Sequence, residues 1–175
     1  MKSCDEAPAN RRNAWLRMDD RALLKECVEE RYRASGPGGQ RRNKVETAVR
    51  IRHLPSGLVA QAEESRYLDQ NRGRALRRLR ERIALELRAP FDLDSPPSVP
   101  ELDAQTSPAG GLAVNRNNPS YPIIVASVLD ALEAADGSYA KAAHALRLTT
   151  SQVMRFLRSD PETWRAISNR PRVDG

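Results

Sequence analysis

The residues with the most chemistry in this chain sit in one short run. Ser35-Gly36-Pro37-Gly38-Gly39-Gln40 puts three glycines and a proline within five residues, which excludes regular structure. What remains is a polar loop rich in backbone N–H and C=O groups, followed by Arg41, Arg42 and Lys44. No phosphate motif of the GxGxxG or P-loop type accompanies it, so composition alone reads as a surface turn. No Ser/His/Asp set or carboxylate pair lies near, which argues against a protein general base. Cys4 and Cys27 are far apart in a chain with two histidines, so neither a disulfide framework nor a zinc site is expected, and no metal or cofactor. Cys27 reads as a small core residue and Cys4 as an exposed thiol.

The flanking pattern supplies the elements that must hold this loop. From Asp19, a candidate N-cap, Leu23, Leu24, Cys27 and Val28 recur at helical spacing. Period two then runs through Glu30, Tyr32 and Ala34, a strand leading into the loop. Val49 and Ile51 alternate with Arg50 and Arg52, giving a half-buried strand with a basic outer face. Leu54-Pro55-Ser56-Gly57 is a tight turn and Leu58 to Ala62 the returning strand. Leu76, Leu79, Ile83 and Leu87 form a helical stripe that Pro90 ends. The order α, β, loop, β, β, α makes a small α+β layer.

Charge is distributed unevenly. The chain has 175 residues, 29 Lys+Arg against 23 Asp+Glu and a net charge of +6. Arg31 to Arg88 alone carries +9, the footprint of a surface that neutralises phosphates, although a solvated charged helix face would also fit Arg72 to Arg82. Ala89 to Leu112 carries −4 and five prolines. It is expected to hold no helix and bury nothing, and so to be a flexible linker. The expected organisation is an N-terminal segment 1–18 that need not be ordered, an α+β domain 19–88, a linker 89–118 and a helical domain 119–175. No apolar run approaches the roughly 18 residues of a membrane span, so a soluble, cytoplasmic monomer is expected, with no membrane contact.

The longer string changes the reading of the loop. Arg33-Ala34-Ser35-Gly36-Pro37-Gly38-Gly39-Gln40, then Asn43-Lys44, Glu46 to Ile51 and His53-Leu54-Pro55-Ser56-Gly57, resembles the catalytic domain of class I peptide chain release factors. Arg66, Asn71 and Ala75-Leu76 continue the likeness, which is closest to short bacterial release factor-like proteins that add a small helical domain. The resemblance implies a β-α-β-β-α catalytic domain and hydrolysis of the ester joining a nascent peptide to tRNA on the large ribosomal subunit. It assigns catalysis to Gly38, Gly39 and Gln40, the glycines allowing close approach between RNA bases. The Gln40 backbone N–H would then donate to the developing oxyanion or departing hydroxyl, an interaction worth about 3 to 4 kcal/mol in other enzymes. It also implies rRNA contacts from Arg33, Ser35, Arg41, Arg42, Asn43, Lys44, Arg66, Asn71, Arg74 and Arg78, and a glutamine N5-methyltransferase acting on Gln40.

Departures from the pattern shape the expected role. The chain has no room for a codon-reading region, so it is not expected to select stop codons. The stretch after Arg88 is acidic, unlike the basic tail of codon-independent rescue hydrolases. Gln40-Arg41-Arg42-Asn43 stands where release factors commonly have Gln-His-Val-Asn, and Tyr67-Leu68 where they have Ser-Gln.

The C-terminal part reads as four helices. Ser120 with Pro122 opens the first, and Asp136-Gly137 stops it. Ser138 and Thr149 cap the next two, and Asp160-Pro161 starts the fourth. The middle pair resembles a helix-turn-helix, with Arg147 strained if its φ is positive. Thr150, Ser151, Gln152, Arg155 and Arg158 are what a recognition helix would present, whereas a plain helical bundle fits the near-balanced charge of this part. His144 reads as a surface or packing residue. The function expected is codon-independent peptidyl-tRNA hydrolysis in ribosome rescue. A non-enzymatic RNA- or DNA-binding regulator and a ribosome-docking factor are the alternatives.

Overall fold

The computed structural model describes residues 8–33, 46–106 and 111–168. In chain order these form α1 (Pro8–Arg17), α2 (Asp20–Leu24), β1 (Cys27–Tyr32), β2 (Ala48–His53), β3 (Val59–Ala62), α3 (Leu68–Glu86), α4 (Pro100–Asp103), α5 (Tyr121–Ala134), α6 (Tyr139–Ala145), α7 (Thr150–Arg158) and α8 (Pro161–Ser168). The class is α+β. Two helices precede the first strand, and residues 34–45, where a β-α-β-β-α order would place a helix, lie outside the described residues. The chain divides into a sheet unit, Ala14–Ile83, and a helical unit, Met1–Asn13 with Ala84–Gly175.

In the sheet unit the strands run antiparallel in the order β1-β2-β3. β2 is central, and its period-two pattern buries Val49, Ile51 and His53 while Arg50 and Arg52 point out. Within α3, Leu76, Leu79 and Ile83 of the stripe visible in the sequence are buried, together with Ala75, whereas Leu87 lies past the end of the helix and is half-buried. Ala48, Ala60 and Ala62 complete the buried sheet residues, so the core is thin. Trp15 is fully buried, its ring edge-on to His53 at 4.5 Å, and its indole N–H donates to Glu26 at 2.9 Å. His53 Nδ1 lies 2.7 Å from the Ser56 hydroxyl. Gly57 closes that turn at φ +72°, where a Cβ would strain the backbone.

Asp19 caps α2, its carboxylate accepting the Ala22 N–H at 2.7 Å. The helix is shorter than its apolar spacing suggests. Cys27 and Val28 belong to β1, because their backbones pair with His53 and Arg52 and that ladder outweighs local periodicity. Cys27 is half-buried rather than a core residue, its thiol donating to the Leu23 carbonyl and pushed up to about 11 mainly by burial.

The helical unit is built around α5, whose residues from Tyr121 to Leu132 are all buried. Val153, Phe156 and Leu157 of α7 join its core, with Phe156 against Tyr121 at 5.7 Å. Ser138 and Thr149 cap α6 and α7 through their side chains, and Thr149 forms a reciprocal capping box with Gln152. Ser120 precedes α5 without a side-chain cap, Pro122 occupying its first turn. Two helices end in the same motif. At α5 the Gly137 and Asp136 N–H groups return to Leu132 and Glu133, and at α6 those of Leu148 and Arg147 return to Ala143 and His144. Each is a Schellman arrangement whose left-handed position carries a residue other than glycine, Asp136 at φ +50° and Arg147 at +55°.

One reading from composition is corrected here, and one question it left open is answered for residues 8–17. The proline-rich stretch does hold a helix, α4, and buries Val99, Leu102 and Leu112. Pro100 sits at its first position, where a missing N–H costs nothing. The N-terminal stretch contains α1, and Arg12 within it is fully buried, donating to Asp130 of α5 at 2.8 and 2.5 Å and to the Leu87 carbonyl at 3.1 Å. The Asp130 carboxylate also accepts the Ala89 N–H at 3.1 Å, and burial lifts its pKa above the usual range against the pull of Arg12.

Removing one partner of this pair leaves a buried charge unmatched. Asp130→Ala should lower unfolding free energy by about 3 to 5 kcal/mol in urea titrations. Arg147→Gly relieves the left-handed turn and should raise it by about 1 kcal/mol in the same titrations.

Candidate functional site

The described residues give the frame of the loop rather than the loop. Ser35, Gly38, Gly39, Gln40, Arg41, Arg42, Asn43 and Lys44 all lie outside them. The β1–β2 ladder ends on the pair Tyr32↔Ala48, so segment 34–45 leaves and re-enters the sheet at one end. That end is braced. The Tyr32 hydroxyl donates to Glu63 at 3.2 Å, Arg50 lies over the Tyr32 ring at 5.5 Å, and Arg33 stands 3.6 Å from Glu46 across the two chain ends. Burial, with Glu63 beside it, raises the Tyr32 phenol pKa, keeping it a donor.

The arginines of α3 are engaged with the protein itself. Arg72 donates to Glu29 of β1 at 2.6 and 3.0 Å and to Asp69 at 2.8 Å. Arg78 reaches the Gln61 carbonyl at 2.6 Å and the Glu64 carboxylate, and Arg74 lies 4.0 Å from Glu64. Arg82 donates to the Val59 carbonyl, and Arg80 to Asp20 and the Met18 carbonyl, each at 2.7 Å. β3 is an edge strand, and the carbonyls of Val59 and Gln61 point away from β2. Their capture by Arg82 and Arg78 covers the edge.

Of the residues read as RNA contacts, Asn71 differs most from expectation. It is fully buried, its amide donating to the Thr47 and Ser65 carbonyls at 2.7 and 2.8 Å and accepting the Ser65 N–H at 2.9 Å. It pins the chain entering β2 to the turn before α3, and does not face solvent. Arg66 is exposed, its guanidinium stacked on the 52% exposed Tyr67 ring at 4.8 Å. Arg33, Arg74 and Arg78 lie at the surface, paired with carboxylates. The partners that hold them are Glu46 for Arg33 and Glu64 for Arg74 and Arg78. Glu64 carried no signal of this role in the sequence, because its arginines lie a helix turn or more away along the chain.

In the helical unit Thr150, Ser151, Arg155 and Arg158 are exposed on α7. Gln152 is turned back, its side-chain oxygen accepting the Thr149 N–H at 2.6 Å. Arg158 lies over the Trp164 ring at 5.1 Å. Asp160, though lifted by burial, is held below the usual carboxylate range by the Thr163 hydroxyl and N–H and by Arg116. Lys141 and the exposed His144 line an open cleft of about 500 Å³ with Leu93, Asp94 and Ala140. No helix among the described residues is long and apolar enough to cross a membrane.

Comparison with known proteins agrees with the frame. Residues 17–92 match the RF-1 domain family, a span that contains nearly all of the sheet unit. Peptide chain release factor 1 of Chloroherpeton thalassium is 54% identical over 65 residues, 37% of this chain and 18% of that protein. Peptide chain release factor 2 of Neorickettsia sennetsu is 48% identical over 65 residues, with the same shares. Peptide chain release factor 1 of Acidiphilium cryptum is 50% identical over 58 residues, 33% of this chain and 16% of that protein. Residues 17–92 are therefore similar to the RF-1 domain found in class I release factors. The chain spans less than a fifth of the length of these relatives.

The hydrogen bonds from Arg72 hold the Glu29 carboxyl below the ordinary glutamate range, more than offsetting its burial. A depressed carboxylate stabilises the fold above its unfolded pKa of about 4.3, and that contribution is lost as pH falls through the folded value. Denaturant titrations from neutral pH down to about pH 3 should show a steeper loss in the wild type than in Glu29→Gln. Equal slopes would mean that the Arg72 clamp is not made in solution.

Proposed function

We propose that the chain hydrolyses the peptidyl-tRNA ester on the ribosome, without selecting a codon, through Gly38, Gly39 and Gln40. The observation that carries this reading is the Gly-Gly-Gln string, set within a release factor-like stretch and joined to a braced β1–β2 end. In the reaction water attacks the ester carbonyl carbon, the carbonyl oxygen becomes an oxyanion, and the bond to the ribose oxygen breaks. That oxygen takes up a proton and the peptide leaves as an acid. The glycines permit a backbone path barred to residues with a Cβ, and the Gln40 N–H stabilises the oxyanion or the leaving hydroxyl. The Gln40 side chain shapes the pocket that admits water, and it is the group an N5-methyltransferase would modify.

Partners follow from this chemistry. The large-subunit rRNA and the CCA end of peptidyl-tRNA would supply the rest of the site. Ser35, Arg41, Arg42, Asn43 and Lys44 flank the loop, with Arg33 at its base and Arg66, Arg74 and Arg78 as more distant cations for phosphates.

Peptide release from ribosome complexes stalled with and without a stop codon tests the reading. Equal release from both is expected, falling about a hundredfold in Gln40→Ala or Gly39→Ala. Wild-type release no faster than the variants' would overturn hydrolysis. If such a protein still cosedimented with the large subunit, it would be a docking factor.

A further inference from the structure

We infer that the helical unit carries a second nucleic-acid site, in which α7 enters the major groove of a B-form DNA duplex. This goes beyond the release reading and does not depend on it. The observation behind it is a pair of exposed arginines without ion pairs, set on two consecutive short helices and the turn between them. In the sheet unit, where the charge count is highest, Arg33, Arg72, Arg74, Arg78 and Arg80 are paired with carboxylates. In the helical unit Asp130 is paired with Arg12, Asp160 and Glu162 with Arg116, and Glu133 with Arg88. Among the described residues, Arg147 and Arg155 form no ion pair, and both are exposed. The modest net charge of this part hides a local cationic surface.

Those cations belong to a helix-turn-helix. α6 and α7 are joined by the Schellman turn at Arg147, and α7 buries Val153, Phe156 and Leu157 while leaving its other side open. Ser151, Arg155 and Arg158 follow at i, i+4 and i+7, so they share one stripe, with Thr150 beside it. Hydroxyls and an arginine on one short helix are the groups that donate to phosphates and read base edges. Arg158 is held by Trp164, which leaves Arg155 as the free guanidinium of the stripe. Arg147 sits at a strained left-handed position that glycine would fill without cost, and there it adds a second cation at the start of α7. The duplex is assigned as B-form because its major groove, about 12 Å wide, admits a helix, whereas that of A-form RNA is too deep and narrow.

The test uses the full chain and a mixed-sequence DNA duplex of about 20 base pairs, two helical turns, followed by fluorescence anisotropy across a salt series. Arg155→Glu should weaken binding at least about tenfold, and Arg155→Ala should reduce the salt slope by about 1. Arg155→Lys should keep most of the affinity, and Gln40→Ala all of it. Circular dichroism should show each variant folded, since Arg155 is exposed. Unchanged affinity in Arg155→Glu would overturn the proposal. So would tighter binding to an RNA duplex of the same sequence, which would remove the groove geometry. Peptide release by Arg155→Glu, measured in parallel, separates failure of this site from failure of the hydrolytic one.

Discussion

One helix has to cover a three-stranded sheet, and the sheet offers it mainly small side chains. Ala48, Ala60 and Ala62 of the sheet and Ala75 of α3 are all buried, and side chains this small bury little apolar area. Guanidinium groups add further ties between helix and strands. Arg72 reaches Glu29 on β1, while Arg78 and Arg82 reach the outward carbonyls of β3, so both outer strands are tied to the helix that covers them. Long arginine stems reach from helix to sheet edge while keeping the charged head near water. The β1–β2 register ends at Tyr32↔Ala48, and there segment 34–45 leaves and re-enters the sheet.

That arrangement suits chemistry done by backbone. The Gly-Gly-Gln string brings no acid or base of its own, so any chemistry proposed for it rests on backbone groups and on how its two flanks are held. Tyr32, Glu63, Arg50, Arg33 and Glu46 converge at those ends. Exposed ion pairs of this kind contribute only about 0 to 1 kcal/mol, so they orient the arginines without locking them away from a competing phosphate. Asn71 acts differently. Its buried amide, with three backbone partners, fixes the turn before α3 to the start of β2, and an Asn serves there because it both donates and accepts.

The helical unit rests on a different device. α5 is buried along nearly its whole length, yet it carries Asp130, and that charge is matched by Arg12 from the N-terminal segment. A buried pair of this sort adds little net stability beyond an apolar alternative, but it specifies which segment packs there. Among the described residues, Arg147 at the α6–α7 turn and Arg155 on α7 are exposed and form no ion pair.

Much of this was legible in the chain itself. Helix caps at Asp19, Ser138 and Thr149, the alternation of β2, the stripe of α3 and the stops at Asp136-Gly137 and Arg147 depend on neighbours a few residues apart, so local pattern suffices to find them. The Gly-Gly-Gln string with its long flanking context is likewise local. Other features required contacts between distant residues. The division of Cys27 and Val28 from α2, the burial of Val99 and Leu102 in a proline-rich stretch, the burial of Asn71 and the pairing of Arg12 with Asp130 are of this kind. Charge is the clearest case. Sequence determined how many arginines there are and that they crowd between 31 and 88, because that is a count. Only the tertiary structure decided which of them meet carboxylates and carbonyls and which stay free, because a Coulomb interaction depends on distance and burial in space rather than on position along the chain.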